Sequence, residues 1–449
     1  MGIELERRAE ISLDRIEALR AELENDRTRR TMMNAVRKDG IHHVAQNQDA
    51  LKAMRDTFSI EIPTMGVTHQ KKSGRCWMFA GLNVLRERAA KEMGLEEFEL
   101  SQAYQMFWDK FEKANFFLES ILETLDETRD GRLVAWLLSH LVEDGGQWEM
   151  FVNLVEKYGV VPKWIMPETF HSSESYGMNQ ILEVKLREDA HILRSAHEAG
   201  RPTSDLRAQK DVMIGEIYRM LTIFLGDPPT TFDLEWRDKD KAFHAERGLT
   251  PKEFYNRHVG VDLGDYVSVI NAPTDDKPYG RTFTVSYLGN VKGGRDVLYL
   301  NVDPETLRSL ALRQLQDGEV VWFGCDVGKF LDRDAGVMDH TLYDYEGVLG
   351  VPFELDKAAR LDYGESVMTH AMVFTGVNLV DGHPDRWKVE NSWGTEPGRK
   401  GYFVMSDPWF DEFTYQVVVK KSYLSPEHLK ALEEPPIKLP PWDPMGSLA

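Results

Sequence analysis

Cysteine is nearly absent from this chain: Cys76 and Cys325 are the two in 449 residues. They cannot build a disulfide framework, so the fold must rest on an apolar core, which suits a reducing compartment. Basic charge is also short. Lys and Arg number 54 against 74 Asp and Glu, a net −20, which favours solubility and opposes binding to nucleic acid or anionic membranes. No apolar run approaches the roughly 18–20 residues that span a bilayer. Met1–Glu6 has no apolar h-region, and Glu6 stands where an N-myristoylation motif wants Ser or Thr, so the expected setting is cytoplasmic. Metal-binding patterns are missing too: there is no His-Glu-x-x-His and no paired Cys-x-x-Cys. His42, His43, His69 and His140 have no partners at ligand spacing, so neither a metal nor a cofactor is expected.

What is present centres on Gln70-Lys-Lys-Ser-Gly-Arg-Cys76-Trp. Gly74 breaks the chain, and Trp77, Ala80 and Val84 then recur at helical spacing beside Leu85, so a helix starts near Cys76. A thiol attacks only as thiolate, and the unpaired N–H groups of a helix start favour that form. Gln70 adds an amide donor for an oxyanion. A cysteine nucleophile needs a base and the base an orienter. Downstream stand His370, in an apolar run closed by Gly376, and Asn391, in Trp387-Lys-Val-Glu-Asn-Ser-Trp-Gly394, both strand-like. A hairpin through Asp381–Asp385 would join them. Its register is not clean, because a turn centred on His383 sets His370 opposite residue 396 and demands a bulge. Cys325, in Val320-Val-Trp-Phe-Gly-Cys, reads as a small residue in a core strand.

Gln70, Cys76-Trp77, His370 and Asn391-Ser-Trp-Gly, in that order, resemble the papain-like cysteine peptidases. Ser73-Gly-Arg-Cys-Trp77, Trp322-Phe-Gly-Cys-Asp326, Lys388–Gly394 and Pro441-Trp-Asp-Pro-Met-Gly446 narrow the likeness to the bleomycin hydrolase and bacterial aminopeptidase C family, from about Asn34 to Ala449. Two positions depart. Ser73 stands where papain-like enzymes commonly carry a second cysteine, and His69 where this family commonly has Asn.

The resemblance implies an α+β, papain-like two-lobe fold, a helical lobe holding Cys76 and a β-rich lobe holding His370 and Asn391. It implies that Cys76, His370 and Asn391 are catalytic, that Gln70 and the Cys76 N–H form the oxyanion hole, and that Trp393 shields the His370–Asn391 hydrogen bond. It also gives Gly146 a role in pairing with the substrate backbone; on residues alone, Asp144-Gly-Gly-Gln-Trp148 is a glycine turn needing φ > 0. The implied activity is a cysteine aminopeptidase acting on peptides, as a homohexamer with its active sites facing inward. Two readings compete: an endopeptidase of the same family, and a papain-fold scaffold or nucleic-acid-binding protein. The charge and the intact residue set weigh against the second.

Cys76 and His370 are 294 residues apart. The papain layout needs roughly 130–150, so about 150 are inserted. Leu182, Leu186, Ala190 and Leu193 form one helical stripe, and Met213, Ile217, Met220, Leu221 and Phe224 another, with Arg201–Ser204 as the turn. The expected division is an N-terminal helical segment packed on the core (1–60), the nucleophile's lobe (61–175), a mainly helical insertion (176–290), a β-rich lobe (291–433) and a C-terminal arm (434–449). Within the first, Leu5 to about Arg37 reads as helix, with Ile16, Leu19 and Leu23 on one stripe; residues 227–264 read as charged and poorly periodic, with Arg237–Lys241 as solvated surface. Ser101 can cap a helix, and strands are expected at 281–287, 296–301 and 319–325.

Composition alone makes the proline-rich segment from Glu434 to Ala449 a flexible tail. Yet its prolines limit the conformations lost on docking, Trp442 is a large anchor, and Gly446–Ala449 are small enough for a cleft. The resemblance implies that the arm enters the active site and that the carboxylate of Ala449 meets the substrate's α-ammonium.

Overall fold

The computed structural model describes residues 10–448. The expected N-terminal helix is two, α1 (Leu13–Asn25) and α2 (Arg27–Asp39). The break is at Asp26, whose carboxylate accepts from the Arg29 N–H at 2.9 Å and caps the second helix instead of continuing the first. Neither helix buries a residue among those described; Leu19 and Leu23 stay exposed. The part of the expected helix before residue 10 lies outside the described residues.

Next come α3 (Cys76–Met93), α4 (Gln102–Glu123), capped by Ser101 as expected, and α5 (Trp148–Tyr158). The insertion forms the helical hairpin α6 (Tyr176–Glu198) and α7 (Thr203–Leu225), packed on each other and on α4 through Leu182, Leu186, Leu193, Ile217 and Leu221. Each such buried aliphatic side chain contributes about 1.5–3 kcal/mol.

The segment read as charged and poorly periodic holds a two-stranded hairpin, β1 (Phe232–Arg237) and β2 (Phe243–Leu249), with the largely exposed run Arg237–Lys241 at its turn. Its purpose lies at the far end of α3. Trp236 Nε1 donates to the Met93 carbonyl at 3.1 Å and the Lys239 N–H to Gly94 at 2.8 Å, satisfying carbonyls that a helix end leaves open. The alternation was masked by charges on the outward positions.

The remaining strands join one twelve-stranded sheet. They are β3 (Tyr266–Ile270), β4 (Arg281–Val285), β5 (Tyr299–Asn301), β6 (Val321–Cys325), β7 (His370–Val380), β8 (His383–Glu390), β9 (Tyr402–Ser406), β10 (Thr414–Lys420) and β11 (Ile437–Leu439). The order runs β11-β4-β5-β3-β10-β6-β7-β8-β9, then Val337–Met338 and Leu331–Asp332, with Ile60–Glu61 paired to β7. Alternation sends Trp322, Val373 and Val418 into one core, shared with α3, α4 and α5. Phe323, Phe374 and Val417 point the other way, into a second core with helix α8 (Pro304–Gln316) and the short helix Asp407–Phe413.

The β7–β8 hairpin resolves the register problem. Its turn is Asp381-Gly382, both at positive φ (53° and 84°), the geometry of a two-residue hairpin loop. The pairing slips between Phe374 and Gly376 and again between Asn378 and Leu379. His370 pairs with Cys325 of β6, and every residue of β6 is buried, so Cys325 is a core-strand residue.

Candidate active site

Cys76 is the first residue of α3, preceded by Arg75, which caps nothing with its side chain. The Met78 N–H is spent on the Arg75 carbonyl at 3.0 Å, while those of Cys76 and Trp77 meet no side-chain cap. Arg75 instead braces the loop, with a bidentate pair to Glu168 (3.1 and 2.8 Å) and a bond to Ser73 Oγ (2.9 Å). Ser73 Oγ in turn donates to the Gln70 carbonyl at 2.7 Å. The serine found where papain-like enzymes commonly carry cysteine thus closes the Gln70–Arg75 turn.

The Gln70 amide has a fixed orientation. Ser392 Oγ donates to its Oε1 at 2.5 Å, the Gln70 N–H donates to the Ser392 carbonyl at 2.8 Å, and Nε2 gives one proton to the Ser73 carbonyl at 2.6 Å. Its second amide proton has no partner among the described residues. His69, the second departure, accepts from the Lys71 N–H at 3.0 Å across a turn in which Lys71 has φ 56°. Burial lowers the His69 imidazole, helped by Lys71, which keeps the ring a neutral acceptor. An Asn side chain can close the same turn, so the substitution preserves the loop.

From the other lobe, His370 begins β7, and its Nε2 is 2.9 Å from Asn391 Oδ1. With that proton held, Nδ1 is the nitrogen free to exchange one. The start of α3 packs against β7, and the Ala371 N–H, next in the chain after His370, favours the thiolate form of Cys76. The Trp393 ring lies 4.9 Å from the imidazole and carries Arg333 at 4.8 Å.

The site is dry. Burial pushes the Cys76 thiol up to about 11, against the N–H groups of Ala371, Trp77 and Cys76 that pull it down. Burial likewise pushes His370 down to about 4, against Asn391. Each group alone therefore prefers to be neutral.

Residues 142–146 form one wall. Lys110 Nζ donates to the Val142 carbonyl (2.5 Å), Lys113 Nζ to those of Glu143 (2.7 Å) and Gly145 (2.6 Å), and Trp77 Nε1 to that of Asp144 (2.8 Å). Among the described residues the Gly146 carbonyl alone in this run has no partner. An extended peptide laid beside it finds an open acceptor. The φ > 0 explanation is overturned: neither Gly145 nor Gly146 has a positive φ. Gly146 is required because a Cβ there sits 2.5 Å from the Trp77 ring.

The arm is docked, so the flexible-tail reading is overturned. Strand β11 pairs with β4, Met445 is buried, and Asp443 pairs with Lys277 at 2.9 Å between two buried side chains. Ser447 Oγ donates to the Met368 carbonyl at 2.6 Å, two residues before His370, and Gln147 Nε2 donates to the Ser447 carbonyl at 2.7 Å. Ala449 lies outside the described residues.

Sequence reasoning gave no role to Ser392, Asp144, Lys110 or Lys113. The lysines carried a signal: with Met106 and Phe117 they form a stripe at helical spacing, in which a charge must find buried partners.

Two outcomes follow from this geometry. The acid limb of kcat/KM for a peptide arylamide should lie well below the ordinary imidazole value of about 6.5, toward the 4 that burial imposes on His370. A limb at 6.5 or above means a solvated imidazole. Gly146→Ala should raise KM about tenfold while kcat stays within about threefold, because the wall moves and the chemistry does not; an unchanged KM removes Gly146 from the binding wall.

Residues 10–446 match the model of the Peptidase C1-like family. The chain is 49% identical over 440 residues to Aminopeptidase C of Listeria innocua, covering 98% of this chain and 99% of the relative. It is 50% identical over 421 residues to Aminopeptidase C of Lactococcus lactis, covering 94% and 95%. The crystal structure of PepW from Lactobacillus rhamnosis HN001 superposes with a TM-score of 0.97 at 50% identity, over 98% of this chain and 100% of that one. By sequence, by fold and by the order in which its cleft is assembled, this α+β, papain-like chain belongs to the Peptidase C1-like family.

Proposed function

We propose that the chain is a cysteine aminopeptidase that removes N-terminal residues from peptides. Cys76 thiolate attacks the carbonyl of the first peptide bond while the proton rests on His370; Asn391 orients the imidazole, and Trp393 keeps water from their hydrogen bond. Gln70 Nε2 and the Cys76 N–H receive the oxyanion. Losing one such donor typically costs about 3 kcal/mol of transition-state stabilisation. His370 gives the proton to the departing amine, and water releases the thioester.

The observation that carries the exopeptidase reading is the arm, with Ser447 tied between Met368 and Gln147. A chain end lying there occupies the track that an internal peptide needs, and its carboxylate at Ala449 would meet an α-ammonium, measuring one residue to the scissile bond. That argues against an endopeptidase. Two buried free thiols and the net −20 support a reducing, cytoplasmic setting without nucleic acid as partner. The family resemblance supports a closed assembly of six subunits, and the five-part division of the chain stays with this reading.

Cys76→Ala should abolish turnover and Cys325→Ala preserve most of it; equal loss from a folded Cys325→Ala protein defeats the assignment. Deleting Met445–Ala449 should leave alkylation of Cys76 intact, lower cleavage of free-amine arylamides and admit N-blocked ones. An unchanged preference for free over blocked amines leaves the exopeptidase reading without a mechanism.

A further inference from the structure

Resting on the catalytic reading above, we infer that Glu390 is a positioning residue, which holds the helix of Cys76, the loop of Gln70 and the strand end of Asn391 in one register. It is buried and is the last residue of β8. Its Oε1 accepts from Asn83 Nδ2 at 2.9 Å and from Arg86 Nη2 at 3.0 Å. Both donors lie on α3, three residues apart and so on one face.

The same two side chains reach the Gln70 loop. Arg86 Nη2 also donates to the Met65 carbonyl at 3.1 Å, and Asn83 Nδ2 to Thr68 Oγ1 at 3.1 Å. The Thr68 carbonyl accepts from the Gly394 N–H at 3.0 Å, which returns the network to the Asn391 segment. One carboxylate oxygen thus gathers the three segments that bring nucleophile, oxyanion donor and orienter together.

Stability is a poor account of this arrangement. Burial pushes the Glu390 carboxyl up to about 7, against the pull of Arg86, so the charge is held at a cost. A buried ion pair is commonly no more stabilising than apolar side chains of the same volume. What apolar side chains lack is direction: they let α3 slide on the sheet. Misplacing reacting groups by about 1 Å can cost on the order of 100-fold in rate.

The test uses full-length protein, with active sites counted by stoichiometric alkylation of Cys76, and reads kcat per site, KM and the thermal midpoint. Glu390→Gln keeps the acceptor oxygen and should hold kcat within about threefold. Glu390→Ala should lose about 100-fold in kcat with KM within about threefold. The double variant Glu390→Met/Arg86→Met replaces the pair by apolar side chains. It should recover the thermal midpoint and still fall at least about tenfold short in kcat, a gap that a structural role does not leave. Wild-type kcat per site in the double variant, or in Glu390→Ala, overturns the inference. Should Cys76→Ala retain activity, the catalytic reading fails instead, whatever the Glu390 variants do.

Discussion

The contact on which the site depends is the packing of the helix that Cys76 begins on the strand that His370 begins in the other lobe. Both ends are tightly held. His370 is paired across to Cys325, and Trp322 on the same strand donates from Nε1 to the Trp77 carbonyl at 3.1 Å, so β6 fixes the strand and the helix together. The price is a dry cleft in which thiol and imidazole each resist charging. Dryness also strengthens every donor aimed into it, and those donors are backbone N–H groups and one oriented amide that need not reorganise during reaction.

Holding a binding wall open poses a different problem. A backbone segment beside a cleft tends to pair its own polar groups, and residues 142–145 are kept from the substrate's track by giving their carbonyls to Lys110, Lys113 and Trp77. Two buried ammonium groups need counter-charge. Lys113 has Asp109 at 2.7 Å, and Lys110 has Asp144 at 2.5 Å. Burial alone raises the Asp144 carboxyl, but Lys110, Ser175 and Asn179 hold it well below the usual carboxylate range, so it remains an anion at working pH. That anion accepts from the Gly74 N–H at 3.0 Å, which joins the wall to the nucleophile's loop. The wall and the oxyanion loop therefore share one buried network.

The candidate catalytic residues stood out because each sits at a break in a local pattern: Cys76 after Gly74, His370 ahead of an apolar run, Asn391 before Ser392-Trp393-Gly394. Local pattern also found the α6–α7 hairpin and the buried strand β6. It failed where a local cap outweighs a stripe and where a partner distant in sequence decides the outcome. Asp26 breaks a helix that the stripe of Ile16, Leu19 and Leu23 continued, because a capping carboxylate outweighs a stripe with nothing to cover it. The hairpin at 232–249 hid behind its charges, and its function, closing the end of α3, is invisible without the fold. Gly146 was read for backbone freedom when the reason is a tryptophan 69 residues earlier.

The arm shows how specificity can be separated from chemistry. None of its holding contacts involves Cys76, His370 or Asn391. β11 adds to the sheet edge at β4, Lys277 pairs with Asp443, Tyr299 Oη donates to the Met445 carbonyl at 3.2 Å, and Arg132 stacks on Trp442 at 3.9 Å. These anchors precede the last three residues, and Ser447 is then set by the Met368 carbonyl beside the base and by Gln147 beside the wall. Prolines at 440, 441 and 444 leave few conformations to lose on docking, so modest contacts suffice to hold the segment. The arm and the surroundings of His370 and Asn391 are therefore held by separate contacts.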